Sequence, residues 1–242
     1  MQIRVLRRNF LKILAGFSLA ALSLFFFKKF EEFLESDDEK LNEKYLIQMN
    51  EPRTKGGISV EEAIKRRRSR RTFTNDPILL TEISQLCWAA QGITEPRTEF
   101  RSAPSAGALY PLEVFLVIGN SDLESGIYQY SCKEHSLICI KKGDYRNQLS
   151  NASLGQECIQ NAALNIVITA IYERSTMRYK SRGKERYVHM EAGHVAQNIY
   201  LQAESMGLGT VAIGAFYDNS VQEIISTPSE YIPIYILPVG HI

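Results

Sequence analysis

From Ile58 to the end of the chain, strand and helix signals interleave. No strand-to-helix turn among them carries the glycine-rich run that cradles a dinucleotide pyrophosphate. That combination rules against a doubly wound NAD-binding fold and leaves a mixed domain of helices and strands. Ser59-Val60-Glu61-Glu62 is a capping box, in which the serine hydroxyl accepts from the backbone while Glu62 reaches back, and it opens a helix running to about Arg68. Thr81–Ala90 sets Ile83, Leu86, Cys87 and Ala90 on one face of a second helix. Val114–Ile118 reads as a buried strand, and Gly126–Tyr130 with Ser136–Ile140 as a hairpin. Short helices are expected near Tyr145–Ala152 and Gly155–Asn161. Asn165–Ile171 is an apolar, β-branched strand core, and Arg186–Met206 is the longest helix, closed by Gly207. A strand at Val211–Ala215, a helix over Asn219–Ile225 capped by Asp218, and a last strand at Ile234–Val239 complete the pattern.

With 242 residues, 45% of them hydrophobic, the chain has material for one domain with a real core plus appendages. The formal net charge of +1 hides an asymmetry. Residues 1–30 carry six cations and no acid; the remainder has 22 cations against 27 acids. A mildly acidic folded part argues against nucleic-acid binding. The four cysteines, Cys87, Cys132, Cys139 and Cys158, follow no metal-ligand spacing, and Cys132 and Cys139 flank the hairpin turn without facing each other. They are read as small buried residues, with a disulfide open to them outside the cytoplasm.

The N-terminus sets basic residues ahead of an uncharged run, Ile13–Phe27. That length suits a signal or a single anchor helix, and Lys28 and Lys29 can snorkel at its far end. No small-x-small cleavage site follows the run. Arg7-Arg8-Asn9-Phe10-Leu11-Lys12 closely resembles the twin-arginine export motif, whose route carries folded proteins. Residues 1–30 are therefore expected to be a twin-arginine-like signal or uncleaved anchor. Residues 31–57 read as a polar, acidic tether, and 58–242 as the folded domain, expected on the outer side of a cytoplasmic membrane.

Four stretches carry the chemistry. Arg66-Arg67-Arg68-Ser69-Arg70-Arg71-Thr72-Phe73 places five arginines in six positions, which suits either a solvated helix end or a small, multiply charged anion such as phosphate. Ala103-Pro104-Ser105-Ala106-Gly107-Ala108-Leu109-Tyr110-Pro111 is a loop of small residues that lets something flat approach the backbone. Gly209–Phe216 is a second small-residue stretch. Glu191-Ala192-Gly193-His194-Val195-Ala196-Gln197-Asn198 puts His194 and Asn198 one helical turn apart, with too few ligands for a metal.

Together with the closing Pro238-Val239-Gly240, these four pieces resemble the nitroreductase superfamily of flavin enzymes. They are most similar to its SagB-like branch, which includes thiazoline/oxazoline oxidase-like dehydrogenases acting on modified peptides. The resemblance covers roughly Ile58–Gly240. It implies an α+β fold with a mixed, largely antiparallel sheet flanked by helices, a homodimer, and an FMN site at the dimer interface, with NADH or NADPH as a candidate electron donor. By position, Arg67, Arg68 and Ser69 would hold the FMN phosphate and ribityl chain. Arg71 would lie at the flavin N1/O2 edge, where a permanent cation suits the charge of the reduced ring. Pro104, Ser105 and Ala106 would line the ring, with Ala108 where other branches place asparagine. Backbone N–H groups of Gly214 and Ala215 would point toward N5. With the chain ending at Ile242, the arginine cluster is expected to carry the phosphate alone.

The resemblance implies a small-molecule or modified-peptide substrate that the sequence does not name. No acid–base pair stands out; Tyr110, His194 and Tyr179 are candidates for proton delivery. Two alternatives remain beside the oxidoreductase reading. One is a flavin-fold scaffold or partner subunit without turnover; the other is a membrane-anchored interaction protein using the arginine run on an anionic surface.

Overall fold

The computed structural model describes residues 46–242. The signal or anchor expected over 1–30, and most of the tether, lie outside them. Among the described residues no helix is long and apolar enough to cross a membrane.

The central sheet has seven strands in the order β1-β6-β5-β4-β7-β9-β8. These are β1 (Leu46–Gln48), β4 (Leu112–Ile118), β5 (Gly126–Ser131), β6 (Ser136–Lys142), β7 (Leu164–Ile171), β8 (Leu208–Thr210) and β9 (Tyr231–His241). All six pairings within it are antiparallel. A small ribbon of β2 (Ile93–Glu95) and β3 (Phe100–Arg101) stands apart. The expected fold class is thus the observed one, and the largely antiparallel sheet is what separates it from dinucleotide-binding folds.

Alternation along the central strands explains the layering. On β4, Val114, Leu116 and Ile118 face one cluster, which holds Ile83, Leu86 and Cys87 of α2 (Leu80–Gln91) and Val188, Ala192, Val195 and Ile199 of α6 (Val188–Ser205). Phe115 and Val117 face a second cluster. There Leu149 of α3 (Arg146–Ala152), Ile159 of α4 (Glu157–Asn161) and Val221 and Ile225 of α7 (Asp218–Ile225) cover the other side. β7 lies between helices on both faces, so Leu164–Ala170 is buried throughout. That is why its sequence reads as a continuous apolar run rather than an alternating one.

Three boundaries differ from expectation. The strand expected at Val211–Ala215 ends at Thr210, and only an isolated bridge, Ile213 to Ile236, continues the pairing. The last strand is longer than expected, Tyr231–His241. The folded unit begins at Leu46, ahead of Ile58, because β1 pairs with β6, Met49 is buried, and the Arg53 N–H donates to Gln85 Oε1 at 2.8 Å. Moving the boundary also moves the charge. Residues 31–45 carry seven acids and two cations, so residues 46–242 hold twenty of each; the acid excess belongs to the tether, and the folded domain is neutral. All four cysteines are free, and Cys139 pairs across the hairpin with Tyr128, not with Cys132.

Candidate functional site: two half-sites on one helix

Helix α1 (Val60–Arg66) delivers the arginine run. Its N-cap is the expected Ser59, whose hydroxyl accepts from the Glu62 N–H at 3.1 Å. Arg67 leaves helical geometry at φ −47°, ψ 124° and throws the chain alongside β8. Arg68 folds back, donating from Nη1 to the carbonyls of Lys65 (3.0 Å) and Arg67 (2.8 Å) and so satisfying groups the helix end leaves bare. Ser69 forms a parallel bridge to Thr210, and the Arg70 N–H donates to the Thr210 carbonyl at 2.9 Å. This approach needs a glycine in β8: a Cβ on Gly209 would lie 2.8 Å from Arg70 Cβ.

The residue that organises this half is Tyr200, near the C-terminal end of α6. Its hydroxyl accepts from the Ala212 N–H at 2.8 Å and shares a 3.0 Å hydrogen bond with Ser69 Oγ. Its ring lies under the Arg67 guanidinium, 5.2 Å from the centroid. One side chain thus joins the arginine run to the small-residue stretch that follows β8. In that stretch Gly214 and Ala215 are exposed, and their N–H groups have no acceptor among the described residues. A Cβ on Gly214 would touch only Tyr235, at 3.9 Å. The Ala215 carbonyl accepts from Gln156 Nε2 at 3.2 Å. Two residues further, at the start of α4, burial pushes the Cys158 thiol up while the Arg71 cation opposes it. Arg71 thus lies on the side of α4. It is exposed, and it borders a polar cavity of about 610 Å³ between residues 71–75 and helices α3 and α4.

The Pro104–Ala108 turn lies elsewhere, against the N-terminal part of α6. Nine residues separate Glu191 from Tyr200, about 14 Å of helix rise. Glu191, 4% exposed, is the anchor: its Oε1 accepts from the Ala106 N–H at 2.8 Å, and Ser105 also bonds it. Burial raises the Glu191 carboxyl above the ordinary carboxylate value, against the pull of those two bonds and of His194. The Ser105 hydroxyl in turn accepts from the Tyr110 N–H at 2.9 Å. Gly107 (φ +64°), Ala108 (φ +55°) and Tyr110 (φ +45°) are left-handed. Two of these are not glycine, which marks a turn held by its surroundings. Asn198 fixes the chain leading into the turn, donating to the carbonyls of Ala89 (3.1 Å) and Ser102 (3.2 Å). Its amide is committed to the backbone, not to a metal.

The proton-delivery candidates lie in this second half. His194 is exposed beside Glu191. Tyr110 is clamped, its ring 4.4 Å from the Arg101 guanidinium and its hydroxyl accepting from the Arg101 N–H at 3.2 Å. The Tyr179 hydroxyl lies over the turn, where a Cβ on Gly107 would approach it to 2.7 Å. The structure thus ties Arg67 and Ser69 through Tyr200 to the stretch bearing Gly214 and Ala215, sets Arg71 on the polar cavity by α3 and α4, and gathers Pro104, Ser105, Ala106, Ala108, Tyr110, Tyr179 and His194 at the other end of α6. Tyr200 and Glu191, which hold the halves, had no role in the sequence reading.

An antiparallel sheet between helix layers, with an arginine run tied through Tyr200 to the small-residue stretch after β8, is the arrangement the sequence resemblance implied. Residues 64–241 match the nitroreductase family, and the chain belongs to that family. It is 45% identical over 187 residues to MJ1384 of Methanocaldococcus jannaschii, a nitroreductase by name, covering 76% of this chain and 91% of that one. It is 28% identical to the microcin B17-processing protein McbC of Escherichia coli, over 60% of this chain and 55% of McbC. It is 27% identical to the FMN reductase (NADPH) of Bacillus subtilis, over 74% and 64% of the two chains. Among solved structures, a nitroreductase-type protein of Ralstonia eutropha superposes with a TM-score of 0.72 at 27% identity, covering 81% of this chain and 89% of that one.

Proposed function

We propose that this protein is an FMN-dependent oxidoreductase working as a homodimer, with a reduced nicotinamide as the candidate electron donor. The observation that carries the reading is Tyr200, because its ring and hydroxyl tie Arg67 and Ser69 of the arginine run to the stretch that bears the free Gly214 and Ala215 N–H groups. Arg67, braced by the Tyr200 ring, and Ser69 would hold the phosphate and ribityl chain, and the planar guanidinium suits phosphate oxygens. Arg71 would supply a fixed positive charge at the N1/O2 edge. Gly214 and Ala215 would donate toward N5 without a side chain to block the face. When bound, FMN supplies hydride transfer at N5.

The separation of the half-sites supports the dimer. The Pro104–Ala108 turn and the Tyr200 network are anchored about 14 Å apart along α6, and in the proposed dimer the partner's turn would complete the site. An apolar face is available for the association. Val60 and Ile64 on α1 are 65% and 56% exposed, beside a groove of about 380 Å³ lined by Ala63, Trp88 and Leu201. The similarity to McbC supports a peptide-processing role of the SagB-like kind, and the basic N-terminal motif supports export of the folded holoprotein to the outer face of a cytoplasmic membrane.

The purified full chain should be yellow, dimeric by light scattering, and bleached by NADH or NADPH. Arg67→Glu should strip the flavin. A colourless chain that ignores added FMN would overturn the proposal.

A further inference from the structure

Twelve of the domain's twenty cations fall in two short stretches, residues 65–71 and 172–187; everything else in residues 46–242 carries eight cations against eighteen acids. The first stretch is the arginine run already assigned to the cofactor. The second is the strap between β7 and α6, made of helix α5 (Tyr172–Tyr179) and the turn Gly183–Tyr187. It holds six cations and two acids.

Only one of those six is spent on the fold. Arg174 pairs with Glu113 at 2.6 Å and donates to the Tyr110 carbonyl at 2.9 Å, which ties the strap to the turn of the second half-site. Arg178, Lys180, Arg182, Lys184 and Arg186 are exposed, and none has a carboxylate partner among the described residues. Arg178 and Lys184 rest on the rings of Tyr179 and Tyr172, at 5.5 and 5.2 Å, contacts that keep the charge in water. The strap also reaches the site: a Cβ on Gly107 would meet Arg178 Nη1 at 2.8 Å. Five unpaired like charges repel one another, and an anion bound among them relieves that repulsion.

We infer that the strap selects an anionic substrate, one bearing two or more carboxylate, sulfonate or phosphate groups beside its reacting centre. This rests on the flavin reading for its chemistry but not for its binding. Arg178 borders the Pro104–Ala108 turn, and the other four cations follow it along the same strap, so their effect is read as substrate discrimination at constant flavin content. On a domain otherwise rich in acid, they also steer anions toward the strap.

The test uses the full-length holoprotein and the triple variant Lys180→Gln, Arg182→Gln, Arg186→Gln, none of which touches the cofactor half-site. With a neutral naphthoquinone and its sulfonated counterpart as acceptors, the triple variant should lose about tenfold in kcat/KM for the sulfonated compound and less than about twofold for the neutral one. The difference should disappear in about 1 M salt, where the screening length falls to about 3 Å. Equal effects on both acceptors, or none on either, overturn the inference. A second arm is independent of flavin. Fluorescein-labelled hexaglutamate should bind the wild type in a salt-sensitive way and the variant hardly at all, and no binding overturns the inference even if the kinetics are void. Displacement by inorganic pyrophosphate at lower concentration than by unlabelled hexaglutamate would identify phosphate as the preferred anion; the reverse would identify carboxylate. A colourless protein that still binds the peptide sinks the flavin reading alone.

Discussion

Replacing Tyr200 with phenylalanine removes one oxygen and leaves the ring under Arg67, so it isolates the bond network from the cation–π contact. Two hydrogen bonds vanish. Ser69 is exposed, and water replaces its lost partner at little cost. Ala212 is half-buried and its N–H loses its acceptor. A buried donor left unsatisfied costs about 1–3 kcal/mol, and partial exposure places this one at about 1–2 kcal/mol. The bond joins the chain carrying Ser69 to the chain carrying Gly214, so its loss frees the two walls of the pocket to separate before ligand arrives. If FMN must then draw them together, the same energy is taken from binding, and a loss of about 1–2 kcal/mol weakens the dissociation constant about 5- to 30-fold. Titration of the apoprotein by quenching of flavin fluorescence measures that factor, and a urea melt of the same apoprotein measures the stability loss. Tyr200→Leu, which also removes the cation–π contact, should add about 0.5–1 kcal/mol. A Tyr200→Phe variant that melts early yet binds FMN with wild-type affinity would refute the reasoning: the hydroxyl would then be a structural strut remote from the cofactor.

Three further outcomes follow from the same geometry. Because burial raises Glu191 above the ordinary carboxylate value, the folded state prefers its protonated form. Its stabilising contribution is complete below the ordinary value and is lost as pH rises through the raised one; Glu191→Gln, which keeps an acceptor for the Ala106 N–H, should flatten that part of a Tm-against-pH curve. Gly107→Ala forces a left-handed alanine, with its Cβ 2.7 Å from the Tyr179 hydroxyl and 2.8 Å from Arg178 Nη1. It should cost about 1 kcal/mol or more and make residues 178–187 more sensitive to limited trypsin digestion than in the wild type. A chain begun at Ile58 loses β1, the buried Met49 and the Arg53–Gln85 bond, and should denature at clearly lower urea than one begun at Leu46; equal midpoints would show that the edge strand contributes nothing.

The parts of the fold legible in the sequence are those written in local pattern. Ser59 capped its helix as expected because the bond spans three residues. The β7 run could be read because burial on both faces removes polar residues altogether, and the α2 and α6 stripes because a helix repeats its buried face every turn. β1 was not legible. Its three residues alternate exposed, half-buried, exposed, and what fixes them is a distant hairpin: the Met49 N–H donates to the His135 carbonyl, while the His135 ring and Ser84 hydroxyl converge on the Asn50 carbonyl. The site divides along the same line. Arginines, small residues and a glycine are recognisable because their own chemistry is what a motif records. Tyr200 and Glu191 face other parts of the protein, acting on Ser69 and Ala106 across 131 and 85 residues of sequence. A tyrosine or a glutamate in an amphipathic helix looks like many others until the tertiary fold shows what it holds. A motif order can name the pieces, but only the tertiary contacts of Tyr200 and Glu191 show that the chain anchors them at two places on α6, about 14 Å apart along its axis.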